Sequence, residues 1–312
     1  MTNKQKHQSF CQSESLPVFI RPWYLDLCCG AENWDVVLVE NKSTVLGVLP
    51  YHIKKKGPFE MIAMPWLVKM MGPYCAASVW ESGKYRKVLT ELIEGLPTIA
   101  AFQQSFHYQI TDWLPFYWKQ FQQSTAYSYV LEDLSDLEKV YSNIKSTYRN
   151  NKIKKAEQIV QVRSDLSIKD FYDVQKMTFD RQGKDFVIPF SFMEKFDGVV
   201  VQNKAGQKFF AVDEQGQVHA VAYLIWDDHT AYHLLEGGNP ELRNSGANIL
   251  LIWETIKYAK EVLGLNRYDF QGSMIPGVEQ VRRSFGAKPI PYFQISKEYS
   301  TIYKVLKTLR GK

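Results

Sequence analysis

The sequence is poor in cysteine, and the few cysteines it has form no pattern that points to a metal site or a disulfide framework. Cys11, Cys28, Cys29 and Cys75 are the four. None pairs as C-x-x-C and no histidine stands at zinc-ligand spacing, so no metal is expected. The adjacent Cys28 and Cys29 fit reduced thiols in a cytoplasm. Long hydrophobic runs are also lacking: no apolar stretch reaches the roughly 18 residues that span a bilayer. The opening MTNKQKHQSFCQSESLP has no signal-peptide core, and a soluble, cytoplasmic protein is expected. H-E-x-x-H, the phosphate-binding P-loop and the G-x-S-x-G elbow are all missing, which argues against metalloprotease, NTPase and serine-hydrolase chemistry. Nor does charge of one sign dominate. A net +5 over 312 residues favours anionic partners without marking a nucleic-acid binder.

What is present is a well-packed globular composition, 45% hydrophobic with 14% aromatic residues, at a length comfortable for two cores. The first half reads as a short helix, Pro22 to Cys29, ended by Gly30. Three strands follow (Trp34 to Glu40, Thr44 to Ile53, Phe59 to Ala63), then an irregular aromatic segment, Met64 to Tyr74. Helix Lys84 to Ile93, strand Thr98 to Phe106, helix Trp113 to Lys119 and strand Phe121 to Leu131 complete it. The second half repeats the order. A meander (Lys208 to Val212, Val218 to Trp226, Thr230 to Leu235) leads into a helix, a strand, a short helix and a strand. The expected fold class is α/β with mixed sheets, a duplicated unit divided as residues 1–133 and 134–312.

The stretch from Tyr232 to Phe293 organises the chain. Ile249, Ile252, Trp253, Ile256, Ala259 and Leu263 fall on one helical face, and Gly264 supplies the stop. The loop Arg243-Asn244-Ser245-Gly246-Ala247-Asn248 opens onto that helix, where unpaired N–H groups and the helix dipole favour an anion. Asn239-Pro240 competes as an earlier helix start, which would bury Gly246 inside the helix. The loop's counterpart in the first half, Gly72-Pro73-Tyr74-Cys75, has no opening Arg or Gln and loses a donor to proline.

Arg243-x-x-Gly246-Ala247 between a strand and a long helix resembles the acyl-CoA pyrophosphate loop of the GNAT N-acyltransferases, with Asn248 where that family has Gly or Ala. With YDFQGSMIPGVEQVRRSFGA after the helix, the chain is more similar to the FemAB-like branch, whose members carry two GNAT-like folds. The segment Arg149-Asn-Asn-Lys-Ile-Lys-Lys155 is similar to a basic segment at the start of their second domain. The resemblance implies a tandem GNAT-like fold and transfer of an acyl or aminoacyl group to an amine. It implies acyl-CoA as co-substrate, with aminoacyl-tRNA as the alternative donor. The implied acceptor is an amino sugar, an amino acid or a cell-envelope precursor. Arg149, Lys152 and Arg283 are candidates for substrate phosphates or a tRNA backbone; a solvated charged face is the plainer reading. A GNAT-like fold that has lost catalysis and serves as a binding module also remains open.

Such a reaction needs a neutral amine, and an amine with a lysine-like pKa is only about one part in a thousand neutral at pH 7. A proton acceptor is therefore sought on the strand before the loop. Glu236, ending that strand, is the first candidate and His233 the second. Strand alternation puts Glu236 with Tyr232 and Leu234 on one face and His233 on the other. Asp269, at the end of the next strand, is the third candidate. Arg282 and Arg283 on the short helix offer phosphate contacts. No covalent nucleophile is evident, so direct attack by the amine is expected. Finally, Ile302, Val305, Leu306 and Leu309 stripe the basic C-terminal tail. The stripe either closes the second domain's core or lies on an anionic membrane at the inner face.

Overall fold

The computed structural model describes residues 1–310. In chain order it runs α1 (Asn3–Ser13), α2 (Pro22–Cys29), β1 (Trp34–Asn41), β2 (Thr44–Lys56), β3 (Phe59–Ile62), β4 (Tyr74–Cys75), α3 (Ala77–Glu81), α4 (Tyr85–Glu94), β5 (Ala101–Ser105), α5 (Leu114–Trp118) and β6 (Gln122–Leu131). It continues through α6 (Leu137–Asn143), α7 (Ser146–Tyr148), a π-helical turn (Arg149–Ile153), α8 (Lys154–Ala156), β7 (Val160–Arg163), α9 (Ile168–Asp180) and α10 (Phe190–Gln202). The last part comprises β8 (Gly206–Asp213), β9 (Val218–Trp226), β10 (Thr230–Gly238), α11 (Ala247–Glu261), β11 (Arg267–Asp269), α12 (Pro276–Ser284), β12 (Lys288–Glu298) and α13 (Thr301–Arg310).

The chain forms two compact units, Met1–Ala126 with the segment from Pro291 onward, and Tyr127–Ile290. In the first unit β1, β2 and β3 form an antiparallel meander, β5 lies parallel to β3, and β12 joins β5 antiparallel from Gln294↔Ser105 to Glu298↔Ala101. Its core holds Val18, Phe19, Ile20, Leu49, Leu89, Phe102, Phe106 and Phe116, all below 2% exposed. The aromatic segment is part of that packing, with Leu67, Val68, Met70, Met71 and Tyr74 buried.

The second unit repeats the arrangement. An antiparallel meander β8–β9–β10 is followed by α11 and by β11 parallel to β10, and the end of β6 joins β11 antiparallel at Tyr268↔Leu131. β6, the strand after α5, thus pairs with β11, and β12, the strand after α12, pairs with β5. The segment after 290, expected with the second half, therefore belongs to the first unit because its ladder partner is β5.

Local chemistry sets the element ends. Thr2 and Ser167 form capping boxes with Gln5 and Asp170, Pro22 and Pro276 sit in the first turns of α2 and α12, and Gly30, at φ +82°, ends α2. The apolar face of α11 (Ile249, Ile252, Trp253, Ile256, Ala259) packs with Phe209, Ala222, Leu224 and Tyr268. Helices α1, α9 and α10 were not foreseen. Among the described residues no helix is long and apolar enough to cross a membrane, no acidic or His/Cys cluster could hold a metal, and all four cysteines are free.

Candidate functional site

In the second unit β10 and β11 pair only from Thr230↔Arg267 to Tyr232↔Asp269, after which β10 runs on to Gly238 against β9. Helix α9 holds that extension: the Thr178 hydroxyl donates to the Gly238 carbonyl (3.2 Å) and accepts from its N–H (2.8 Å). Gly237 lets α9 approach closely there: a Cβ would lie 2.8 Å from Gln175 Oε1 and 3.1 Å from the Gln175 Cα.

The register of β10 shifts between His233 and Leu235. Strict alternation placed His233 and Glu236 on opposite faces; the bulge re-aims one of them, and the two side chains meet at 3.1 Å (Nε2 to Oε2). From α12, Arg282 reaches Glu236 with both terminal nitrogens, at 3.0 and 2.8 Å. Behind them His233 Nδ1 lies 2.7 Å from the Tyr268 hydroxyl, which lies 2.8 Å from the Thr255 hydroxyl of α11. Arg282, His233, Tyr268 and Thr255 are buried, whereas the Glu236 side chain keeps 40% exposure.

The proton pattern follows from what each group can do. A carboxylate only accepts, so His233 carries its proton on Nε2; Nδ1 then accepts from Tyr268, and the single Thr255 hydroxyl proton is shared between the Tyr268 oxygen and the Ile252 carbonyl, each at 2.8 Å. Burial pushes the imidazole pKa down, against the pull of Glu236, which is consistent with this neutral form. For Glu236 burial alone would raise the pKa, but the Arg282 charge and the His233 hydrogen bond outweigh it and hold the carboxyl well below the usual range. Burial likewise raises the Tyr268 phenol.

These facts bear on the three proton acceptors expected from the sequence. Taking a proton from an ammonium near 10.4 to even an ordinary glutamate near 4.3 is uphill by about 6 units, roughly 8 kcal/mol, and the lowered Glu236 carboxyl is a poorer base still. What it retains is an open lone pair on Oε1, which among the described residues accepts only from Arg282. His233 has both nitrogens engaged. Asp269 is fully buried, its Oδ1 accepting from the Ser128 hydroxyl at 2.5 Å and from the Gln271 N–H at 2.8 Å, which is the work of a turn residue.

Of the paired arginines, Arg282 rather than Arg283 faces inward. Arg283 is exposed and pairs with Glu279 one turn back. Helical register carried the signal: Val278, Arg282 and Phe285 fall at i, i+4 and i+7. Thr255 and Tyr268 had none, since each looks like ordinary core.

The loop at α11 differs from its expected form. Arg243–Ser245 is a 3₁₀ turn and Gly246, at φ +82°, is the N-cap, which settles the later helix start. Ser245, Gly246 and Ala247 are buried, while Arg243, Asn244 and Asn248 are exposed. The basic segment covers the loop. A Cβ on Gly246 would stand 2.7 Å from the Lys152 carbonyl oxygen, and Lys155 Nζ donates to the Asn244 carbonyl at 2.9 Å. Lys152 main chain thus packs against the Cα of Gly246, on the side where a side chain would project. Arg149 is half-buried, donating to the Ile144 carbonyl at 2.9 Å beside the Tyr141 ring.

Residues 140–280 match the family described as acetyltransferase (GNAT) domain. No curated protein matches the chain. Among solved structures it is similar to the crystal structure of FemX, at 14% identity and TM-score 0.69, with 94% of this chain and 96% of that one covered. It is also similar to the C-terminal domain of a putative lysylphosphatidylglycerol synthetase from Agrobacterium fabrum (10% identity, TM-score 0.58, 94% and 91% covered). A third likeness is to a tandem GNAT protein from the clavulanic acid biosynthesis pathway (11%, 0.52, 86% and 83%). At these identities the likeness is one of fold, and it is the tandem GNAT-like α/β fold expected from the sequence.

Proposed function

We propose that this chain, which carries a GNAT acetyltransferase domain at residues 140–280 in a FemAB-like tandem fold, is an N-acyltransferase that moves an acyl or aminoacyl group onto a primary amine. The observation that carries this reading is the partly exposed Glu236 carboxylate, fixed by buried Arg282 and His233 where β10 and β11 part. Its open Oε1 lone pair is suited to bind the acceptor's ammonium and orient it. The proton is lost to solvent, the freed amine attacks the donor carbonyl directly, and the tetrahedral adduct breaks the acyl C–O bond of a tRNA ester (or C–S bond of a thioester), the departing hydroxyl (or thiol) taking up the proton that the attacking nitrogen gives up. In this role Glu236 binds and positions substrate instead of acting as the base. Arg282 holds its charge, and the His233–Tyr268–Thr255 chain holds its geometry.

For the donor, the covered Gly246 favours aminoacyl-tRNA over acyl-CoA. With Lys152 main chain over the loop, phosphates are left the exposed cations Arg243, Lys154 and Lys155, a rim suited to a nucleic-acid backbone. Acyl-CoA, the donor usual for GNAT domains, is the second reading. The acceptor class is an amino sugar, amino acid or cell-envelope precursor, as the FemAB-like resemblance implies. The deciding experiment supplies the purified chain with aminoacyl-tRNA or acyl-CoA and a panel of amines, and reads acylated product by mass spectrometry. Product from tRNA that falls on Arg243→Ala/Lys155→Ala supports the rim. Product from acyl-CoA alone overturns the donor assignment, and product from neither donor leaves a binding module.

A further inference from the structure

The C-terminal helix does not close a core. Ile302, Val305, Leu306 and Leu309 are 68, 53, 40 and 67% exposed, although their spacing puts them on one helical face. The helix is nonetheless seated: Tyr303 packs edge-on against Phe59 at 5.4 Å and against the small cluster of Met61, Ala100 and Ala101. This places α13 beside the tip of the β2–β3 hairpin, where Gly57, Pro58, Ile302 and Leu306 line an apolar groove of about 280 Å³.

Lys56 and Lys307 line the groove, one from each element, and further lysines lie close by in sequence. Lys55 and Lys307 pair with Glu60 (3.1 Å) and Glu298 (2.7 Å); exposed Lys54, Lys56 and Lys304 have no carboxylate partner among the described residues. An apolar stripe two turns long, flanked by uncompensated lysines, has the composition of a helix lying in the interface of an anionic bilayer. A second copy of the chain fits poorly, because a symmetric contact would bring the same lysines against each other.

We infer that α13 and the Lys54–Pro58 hairpin tip together form a docking surface for anionic lipid bilayers, independent of the acyl-transfer reading. Apolar side chains enter the headgroup boundary and the lysines face anionic headgroups. Each uncompensated lysine adds about fivefold in affinity by the usual surface-potential scale. The test is flotation of the full chain with phosphatidylglycerol or phosphatidylcholine vesicles at moderate and high salt. Expected are binding to phosphatidylglycerol alone, weakening in salt, a loss of about a hundredfold in Lys54→Gln/Lys56→Gln/Lys304→Gln, and abolition by Val305→Glu/Leu309→Glu. Both of the latter sites are exposed, so the melting temperature should hold. No binding by the intact chain, equal binding to both lipids, or binding untouched by Val305→Glu/Leu309→Glu would overturn the proposal. So would a dimer in sedimentation that the same two substitutions dissociate while no vesicle is bound.

Discussion

The Glu236–Arg282 pair makes an asymmetric prediction, because one partner is buried and the other is not. The Arg282 side chain is 6% exposed, whereas that of Glu236 is 40% exposed. Glu236→Gln strands a guanidinium that water cannot reach and whose Nε already lacks a partner. Breaking a buried pair in this way costs about 3–5 kcal/mol. Glutamine keeps one accepting oxygen, which argues for the lower end, near 3. Arg282→Met leaves instead a carboxylate that water rehydrates, and puts an apolar side chain beside Phe270, over which the guanidinium now lies at 5.4 Å. Its cost is that of a half-solvated pair, about 1 kcal/mol. The double variant should therefore be more stable than Glu236→Gln alone. Urea denaturation followed by circular dichroism gives the three differences, provided the m-value is unchanged. Glu236→Gln proving milder than Arg282→Met would refute the burial argument.

Stability should also fall with pH below about 6.5. Burial lowers the pKa of His7, to about 4, and those of His52 and His233, so the unfolded chain binds protons that the folded one does not. The contribution is complete above the unfolded value near 6.5 and is lost as pH falls through the folded values; melting temperatures at pH 7 and pH 5 check it, and His7→Asn should flatten the slope. Glu236, its pKa depressed, adds stability above about 4.3 that disappears in stronger acid, and Glu236→Gln should lack that last phase. Gly246→Ala should destabilise by several kcal/mol, roughly the sum of a strained positive φ and a Cβ 2.7 Å from the Lys152 carbonyl; a near-neutral melting curve would show that the covering segment moves freely. For the same reason Gly246→Asp would report on folding and not on anion binding alone. Tyr268→Phe strips the hydroxyl between His233 and Thr255 and should cost about 1–3 kcal/mol.

The sequence alone determined the two meanders, the amphipathic α11, the start of α2 at proline and its stop at glycine, and the duplicated element order. These are set by short-range periodicity and by residues with restricted φ, information held within a few positions. It also picked out both basic and glycine-bearing stretches of the second half, though not that they touch. Helices α1, α9 and α10 stand outside the duplicated element order, so no repeated pattern marks them. Tertiary structure decided the rest. A one-residue bulge in β10, invisible to alternation, brought His233 to Glu236; long-range pairing gave β12 to β5; and the approach of Lys152 closed the loop at Gly246. Whether α13's stripe met a core or solvent was likewise fixed by which apolar surface the rest of the first unit left uncovered, a property of the tertiary packing and not of the helix.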